Sequence, residues 1–436
     1  MKDLTGVTRT DQYRALGLST TAFTVCFAVW TIFSIIGVQI KEDLGLSETQ
    51  FGILVATPVL TGSISRIFLG VWTEQYGGRL VYTLQMLITA VCTWLLSSVQ
   101  TYEVFLIAAL GVGLAGGSFI VGVAYTSQWF EKEKQGTALG IFGAGNVGAA
   151  VTNFGAPFLV IALGWEQTAQ VYAVVLAIMA VVFFVTSKDD PSHQARKKSG
   201  EKPVSAAMQL EPLKNLQVWR FSVYYFFVFG GFVALASYLP RFYVGAYGLE
   251  LAAAGGLAAL YALPGSVFRA LGGWFSDKWG ARSVMYATFI VSLACLFVMS
   301  YPNTRYVVEG IRGPVEFEIG ISLPVFVGLT IVLGFMMSLG KAAVYKHIPV
   351  YYPNNVGAVG GLVGMIGGLG GFFLPIAFGV LNDWIGVWTN AFMLLFVLVL
   401  VSTIWMHVAI RLMERRKYPE LMRETHLSDV PEQRVP

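Results

Sequence analysis

Three basic side chains lie inside long apolar stretches of this 436-residue chain: Arg66, Arg269 and Lys341. An ionised guanidinium in the hydrocarbon of a membrane costs about 2.5 kcal/mol or more, so each arginine needs a partner. None of the 25 Asp and Glu residues lies deep in such a stretch. Arg66 and Arg269 lie only ~6 Å past the midpoints of theirs, which is central for a side chain expected to snorkel to the headgroups. They therefore predict an anion bound from outside the chain, with snorkelling as the alternative.

The two arginines are related by an internal repeat. The segment TGSISRIFLGVWTEQYGGR (61–79) matches PGSVFRALGGWFSDKWGAR (264–282) when 203 is added to its numbers. The identical pairs are Gly62/Gly265, Ser63/Ser266, Arg66/Arg269, Gly70/Gly273, Gly77/Gly280 and Arg79/Arg282. Equivalent arginines in two repeated halves predict one anion site, shared near the midplane where the halves of a transporter meet.

The composition indicates an integral membrane protein. Hydrophobic residues make up 56% of the chain and charged residues 12%, and the mean hydropathy is +0.65. Soluble proteins contain roughly 45–50% hydrophobic residues and about 25% charged residues. Cys26, Cys92 and Cys295 all fall in apolar stretches and are expected to be core residues. No disulfide, metal site or cofactor is predicted, and the basic loops explain the net charge of +4 without nucleic-acid binding.

Hydropathy predicts an all-α membrane protein of twelve helices, called helix 1 to helix 12 in chain order. They are expected near 16–39, 51–73, 80–98, 102–129, 136–163, 168–186, 217–240, 252–275, 282–301, 321–347, 356–381 and 388–411. A charged, Pro- and Ser-containing linker separates two six-helix bundles related by pseudo-two-fold symmetry. The predicted divisions are a bundle over 1–187, the linker over 188–216, a bundle over 217–412 and a tail over 413–436.

The basic residues also predict the orientation in the membrane. Most of the 29 lie on the side that carries the linker and both termini. The positive-inside rule places that side in the cytoplasm. The polar start MKDLTGVTRTDQYR is followed by a span with no small-residue cleavage site, so helix 1 is expected to stay in the protein.

Depth along the helices predicts which residues line the site. Within about one turn of the midplane lie Arg66, Arg269, Phe119 of helix 4 and Asn146 of helix 5, with Tyr225 and Phe229 near the middle of helix 7. Aromatic faces, guanidinium forks and an amide make a slot for a small, flat oxyanion. Each aromatic residue taken alone would more often be a core or lipid-facing residue.

Two helices are dense in glycine: helix 5 in GIFGAGNVGAA and helix 11 in GAVGGLVGMIGGLGGFFLP. Glycine at intervals of three and four lets helix backbones approach closely, which predicts tight packing at the interface of the halves and a small cavity. The glycines expected to act in packing or hinging are Gly143, Gly145, Gly148, Gly364, Gly367 and Gly368. A phosphate cradle is disfavoured because it needs a preceding strand.

The stretch G-x-x-x-[D/E]-x-x-G-x-R occurs at the ends of helices 2 and 8. It resembles the loop motif of the major facilitator superfamily. Its charged residues are Glu74, Arg79, Asp277 and Arg282. We expect them to act as a conformational latch that holds one helix bundle to its neighbour in one transporter state, not to contact the substrate.

The stretches GTALGIFGAGNVGAAVTNFGAP and GLVGMIGGLGGFFLP are similar to the two glycine-rich signatures of the nitrate/nitrite porter family within that superfamily. The resemblance covers nearly the whole chain, although GIFGAGN is one residue shorter than in some members. It implies a secondary transporter of nitrate, with nitrite as a further substrate, that works by alternating access as a monomer in the cytoplasmic membrane. The implied substrate-binding residues are Arg66, Arg269, Tyr225, Asn146, Phe119 and Phe229.

Family members either exchange nitrate for nitrite or move nitrate with protons, and Lys341 bears on that choice. The stretch SLGKAAVYKHIPVYYP around it resembles the proton-symport branch. A lysine shielded from water near two arginines could take up a proton when an anion binds, which makes Lys341 a coupling candidate. The alternative is that Lys341 snorkels to the cytoplasmic face, about 10 Å past the midpoint by helix rise.

Other functions are less consistent with the sequence. No span contains a Ser/His/Asp set, a Cys/His set, a metal cluster or an acid pair, so an enzyme is not predicted. An anion-sensing receptor would need an output element, and only the short tail RETHLSDVPEQRVP follows the last helix. A porter for a larger organic anion would fit poorly in a glycine-packed cavity. Nitrate/proton symport is the favoured prediction, with nitrate/nitrite antiport and transport of another small anion as alternatives.

Overall fold

The computed structural model describes residues 7–191, 193, 211–352 and 356–417. In this part of the chain, eleven helices are each long and apolar enough to cross a membrane. The pair Leu251–Val267 and Arg269–Trp279, bent by 43°, brings the number to twelve when it is counted as one span. The predicted multi-pass bundle of membrane helices is therefore confirmed.

The first six helices include three that are interrupted by short 3-10 turns at Ile32–Ser34, Leu114–Gly117 and Ala144–Val147. The bounds are helix 1 (Arg9–Trp30 and Ile36–Leu44), helix 2 (Glu48–Tyr76), helix 3 (Gly78–Leu95), helix 4 (Tyr102–Gly113 and Ser118–Ser127), helix 5 (Lys132–Gly143 and Gly148–Leu163) and helix 6 (Trp165–Thr186). Helix 1 begins earlier than hydropathy predicts because Thr8 and Asp11 form a capping box that starts a polar first turn.

The described part of the second six helices contains three irregularities: a π-helical turn at Phe226–Gly231 in helix 7, the bend of helix 8 and a break at Leu369 in helix 11. Their bounds are helix 7 (Leu216–Tyr225 and Phe232–Tyr247), helix 8 (Leu251–Val267 and Arg269–Trp279), helix 9 (Ala281–Met299), helix 10 (Leu323–Tyr351), helix 11 (Val356–Gly368 and Gly370–Ile385) and helix 12 (Asn390–Lys417). π-Helical turns inside α-helices occur frequently at functional sites, and this one carries Phe229.

Between helices 9 and 10 lies an antiparallel hairpin of β1 (Thr304–Gly310) and β2 (Gly313–Ile319). Its register pairs Val307 with Glu316. The sequence prediction contains no strand here, because a search for ~20-residue apolar runs does not detect two seven-residue strands that mix valine with charge. We call this side of the bundle the hairpin end, and the opposite side, where helices 2 and 8 finish, the linker end.

The two halves meet along two crossings, of helix 2 with helix 11 and of helix 8 with helix 5. Gly52 lies so close to helix 11 that an added Cβ would be 2.4 Å from the carbonyl oxygen of Pro375. Its repeat counterpart, Gly255, would place a Cβ 2.2 Å from the carbonyl oxygen of Asn153. Helices 5 and 11 thus each pack against a helix of the opposite half, which puts both at the interface.

Candidate functional site

Arg66 connects the two halves at the middle of helix 2. Its side chain is buried, and Nη1 donates a hydrogen bond of 2.8 Å to the carbonyl oxygen of Gly364 in helix 11. Nε is buried and has no partner among the described residues. The guanidinium carbon lies 5.3 Å from the ring centre of Phe229, 5.6 Å from that of Phe119 and 5.9 Å from that of Trp30. The arginine thus satisfies part of its hydrogen bonding with a backbone carbonyl and keeps a donor unused.

Arg269 is the first residue of the second segment of helix 8, directly after the bend. It is buried, and its Nη1 has no partner among the described residues. Its guanidinium carbon lies 5.5 Å from the ring centre of Phe119 and 5.6 Å from that of Tyr345. Both arginines therefore lie within 6 Å of the centre of one ring. Among the described residues, neither forms an ion pair with a carboxylate.

Aromatic rings form a wall beside the two guanidinium groups. Tyr225 stacks on Phe229 with ring centres 5.1 Å apart and planes 16° apart. Tyr345 meets Tyr225 edge to face at 5.0 Å. The predicted residues Phe119, Tyr225 and Phe229 are thus brought together with Arg66 and Arg269.

Sequence reasoning missed Trp30 and Tyr345 as neighbours of the arginines. Tyr345 had a detectable signal, because it follows Lys341 by four residues and so shares its face of helix 10. Trp30 had none, since its position depends on the packing of helix 1 against helix 2. There its Nε1 donates to the carbonyl oxygen of Pro58.

Asn146 lies in the 3-10 turn Ala144–Val147 of helix 5. Its side chain is fully buried, and neither amide atom has a partner among the described residues. One turn earlier, Gly143 faces the stem of Arg269, where an added Cβ would be 3.1 Å from Cδ. Gly145 and Gly148 instead allow helix 5 to pack on Phe23 and Thr24 of helix 1, in their own half.

Three glycines of helix 11 make room for site residues. An added Cβ on Gly364 would be 2.6 Å from the Tyr345 hydroxyl, and one on Gly367 would be 2.5 Å from Cδ1 of Tyr225. On Gly368 it would be 2.7 Å from Oγ of Ser63 and 3.3 Å from Nη1 of Arg66. A larger residue at any of the three would displace a side chain at the site.

Lys341 does not extend to the headgroup region. It is fully buried, and Nζ donates a hydrogen bond of 2.7 Å to the carbonyl oxygen of Gly265. Nζ also lies 3.2 Å from the ring centre of Phe232. Gly265 precedes Arg269 by four residues, so Lys341 contacts helix 8 at the bend that carries the arginine.

Three of the four predicted latch residues have contacts within their own halves in the described part of the structure. Arg79 of helix 3 donates to the carbonyl oxygen of Phe184 in helix 6. Asp277 forms an exposed ion pair of 2.6 Å with Lys346. Arg282 donates from Nη2 to the Tyr351 hydroxyl at 2.9 Å. The side chain of Glu74 lies outside the described part of the structure, and the latch role of all four residues stays a prediction.

At the hairpin end, polar contacts do cross between the halves. Glu48 of helix 2 pairs with Arg241 of helix 7 and lies 3.5 Å from Nζ of Lys41. The Asp383 carboxylate accepts hydrogen bonds from the backbone N–H groups of Glu48 and Thr49, at 3.0 and 2.7 Å.

A further polar contact between the halves lies deeper in the bundle. Asn153 of helix 5 donates from Nδ2 to the carbonyl oxygen of Ala236 in helix 7 and accepts from Ser34 of helix 1. None of these ties was predicted, because each joins residues far apart in sequence.

Eleven membrane-length helices and one bent pair in the described residues, arranged in two halves with embedded cations where the halves meet, are typical of a secondary transporter. The Major Facilitator Superfamily model matches residues 18–310 and 313–433. Among solved structures, a bacterial homologue of the human lysosomal transporter Spinster aligns with a TM-score of 0.69 over 93% of this chain and 98% of that one, at 14% identity. The nucleoside transporter NupG aligns with a TM-score of 0.68 over 90% and 99%, also at 14% identity.

Curated relatives narrow the family. The chain is 43% identical to the "Probable nitrate/nitrite antiporter NarK1" of Thermus thermophilus over 92% of each protein. It is 30% identical to the "Nitrite extrusion protein" of Bacillus subtilis (strain 168), over 91% of this chain and 95% of the relative. The chain belongs to the nitrate/nitrite porter family of the Major Facilitator Superfamily. It is a multi-pass membrane transporter and not an enzyme.

Proposed function

We propose that this protein transports nitrate, with nitrite as a second substrate, by binding the anion between Arg66 and Arg269. The observation that carries the proposal is the pair of buried, repeat-related guanidinium groups, both within 6 Å of the Phe119 ring centre and neither paired with a described carboxylate. An uncompensated buried cation is costly, so an anion that enters the site is stabilised by both. The printed names of the relatives identify nitrate and nitrite as the anions those proteins handle.

The geometry suits a small, flat, delocalised oxyanion. Guanidinium groups present planar forks of donors that match the oxygens of such an anion. The stacked rings of Tyr225 and Phe229 and the ring of Phe119 provide flat surfaces, and the unpartnered amide of Asn146 offers a further donor. A bulkier organic anion would need the space that Gly364, Gly367 and Gly368 leave to site side chains.

Transport would proceed by alternating access, with the halves rocking about the site and the anion neutralising both arginines. The crossings of helix 2 with helix 11 and of helix 8 with helix 5 are the contacts that would slide. We further propose that the protein works as a monomer in the plasma membrane with its linker end in the cytoplasm, as the distribution of basic residues predicts.

For coupling, we favour nitrate/proton symport with Lys341 as the coupling residue. Its full burial and its contact with the helix 8 bend favour a role inside the bundle over a headgroup contact. An anion bound at Arg269 would stabilise a proton on this lysine by charge attraction. The second candidate is nitrate/nitrite antiport, and the observation favouring it is the printed name of the Thermus relative, an antiporter.

Nitrate-uptake assays with the purified protein in liposomes distinguish these functions. Nitrate uptake is measured first with an inward proton gradient and an empty lumen, then without a gradient and with nitrite inside. Uptake driven by the gradient alone supports symport, and Lys341→Ala should then remove the pH dependence of uptake. Uptake only with internal nitrite supports antiport. Nitrate binding without uptake under either condition would support a receptor, and the absence of both would contradict the proposal.

A further inference from the structure

The hydroxyl of Ser63 is an unused polar group beside Arg66. Ser63 lies one turn before the arginine on helix 2 and is fully buried. Its Oγ has no hydrogen-bond partner among the described residues. A buried hydroxyl without a partner costs about 1–3 kcal/mol, so this arrangement indicates a partner supplied in another state of the protein.

The repeat shows that this orientation is specific to the first half. A serine within a helix commonly donates to the carbonyl four residues earlier. Ser266, the repeat counterpart of Ser63, does so, with Oγ 2.8 Å from the carbonyl oxygen of Ala262. Two serines at equivalent positions thus have different roles, and only Ser63 keeps its hydroxyl available.

The space that the hydroxyl faces also contains the guanidinium of Arg66. Around the position of an added Cβ on Gly368, Oγ of Ser63 lies at 2.7 Å and Nη1 of Arg66 at 3.3 Å. The missing side chain of Gly368 therefore brings a hydroxyl and a guanidinium together against helix 11. An anion oxygen held by Arg66 on this side would be within reach of a second, neutral donor.

We infer that Ser63 is a further substrate contact that donates its hydroxyl to one oxygen of the bound anion and favours nitrate over nitrite. The inference rests on the proposed function. Two guanidinium groups can engage two oxygens of a planar anion. The third oxygen of nitrate can accept from further donors, and the Ser63 hydroxyl adds one to the Asn146 amide. Nitrite has no third oxygen, so the Ser63 hydroxyl stabilises nitrate more.

The test measures dissociation constants for nitrate and for nitrite with purified full-length protein. We expect Ser63→Ala to weaken nitrate binding about tenfold, the size of one hydrogen bond to a charged group, and to change nitrite binding by less than about twofold. Ser266→Ala is the matched control and should leave both constants within about twofold of wild type. If Ser63→Ala does not fold, the near-isosteric pair Ser63→Thr and Ser63→Val isolates the hydroxyl, and only the threonine should keep the preference.

Three results would overturn the inference: unchanged nitrate binding in Ser63→Ala, an equal loss for both anions, or the same loss in Ser266→Ala. A failure of the proposed function looks different, because the wild-type protein would then bind neither anion. Wild-type nitrate binding with an unaffected Ser63→Ala variant would reject the Ser63 contact alone.

Discussion

The two ends of the helix bundle differ in how the halves are joined. At the hairpin end, Glu48 pairs with Arg241, and Asp383 binds the backbone at the start of helix 2. At the linker end, the contacts of Asp277 with Lys346 and of Arg282 with Tyr351 lie within one half. Polar contacts therefore join the two halves at the hairpin end. It follows that opening this end requires cross-half ion pairs and hydrogen bonds to break.

The ion pair at the hairpin end is also better shielded from solvent than the ion pair at the linker end. The side chains of Glu48 and Arg241 are each 15% exposed, whereas those of Lys346 and Asp277 are 44% and 62% exposed. Hydrogen bonds to charged groups contribute roughly 1.5–3 kcal/mol when shielded, but exposed ion pairs contribute about 0–1 kcal/mol. The difference orders the effects expected from substitutions at the two ends.

The largest effect is expected at the midplane, between the two ends. Arg66→Lys and Arg269→Lys keep the charge but lose the bidentate fork, so each should lower nitrate uptake by about a hundredfold or more. Neither change should alter which end is open. Labelling of Ser237→Cys, a buried position in the hairpin-end part of helix 7, by an impermeant maleimide should stay at the background level. Uptake at the wild-type rate in either variant would remove the basis for assigning the site.

The second-largest effect is expected where helix 8 crosses helix 5 at Gly255. Gly255→Ala places a methyl group 2.2 Å from a backbone oxygen of Asn153, so helices 5 and 8 must separate at the hairpin end. We expect uptake to fall about tenfold and labelling of Ser237→Cys to rise. Gly256→Ala is the control, because its added Cβ meets nothing within 4 Å and the gain in helix propensity is the same. Equal behaviour of the two variants would show that the crossing is not needed for closure.

Helix geometry explains which features of the site can be predicted from the sequence. A rise of 1.5 Å per residue fixes depth, which is why Arg66, Phe119, Phe229 and Arg269 could be placed at one level from the sequence alone. The direction a side chain takes depends on neighbouring helices. Hydropathy therefore could not choose between an inward and a headgroup position for Lys341, and the structure places it inward.

The contacts between the halves at the hairpin end could not be predicted from the sequence for a related reason. Glu48 and Arg241 are 193 residues apart, and both lie at predicted helix ends, where charge is expected in any case. The bend before Arg269 was missed although Pro264 stands where the repeat counterpart in helix 2 has Thr61. A proline alone does not predict the bend, because helix 2 contains Pro58 and continues unbroken over Glu48–Tyr76.

A moderate effect is expected from Glu48→Gln, which removes the charge but keeps the length of the side chain. It weakens the pairs with Arg241 and Lys41 while the backbone contacts of Asp383 remain. We expect labelling of Ser237→Cys to rise about threefold and uptake to change by less than about fivefold. Glu42→Gln, an exposed residue at the same end, is the control. Labelling equal to that of the control would mean that the ion pair does not hold this end closed.

The smallest effect is expected from Asp277→Asn at the linker end. In this state Asp277 pairs only weakly with Lys346, because both side chains are exposed, so stability and labelling of Ser237→Cys should not change. A latch role would be detected in the uptake rate. If Asp277 contacts the other half when the linker end closes, uptake by Asp277→Asn should fall about twofold to threefold. Lys346→Met removes the same ion pair from its other side and is the matched control. Equal uptake in the two variants would reduce Asp277 to a partner of Lys346. A greater loss in Asp277→Asn would mean that the linker end has its own cross-half tie, formed only in the opposite state.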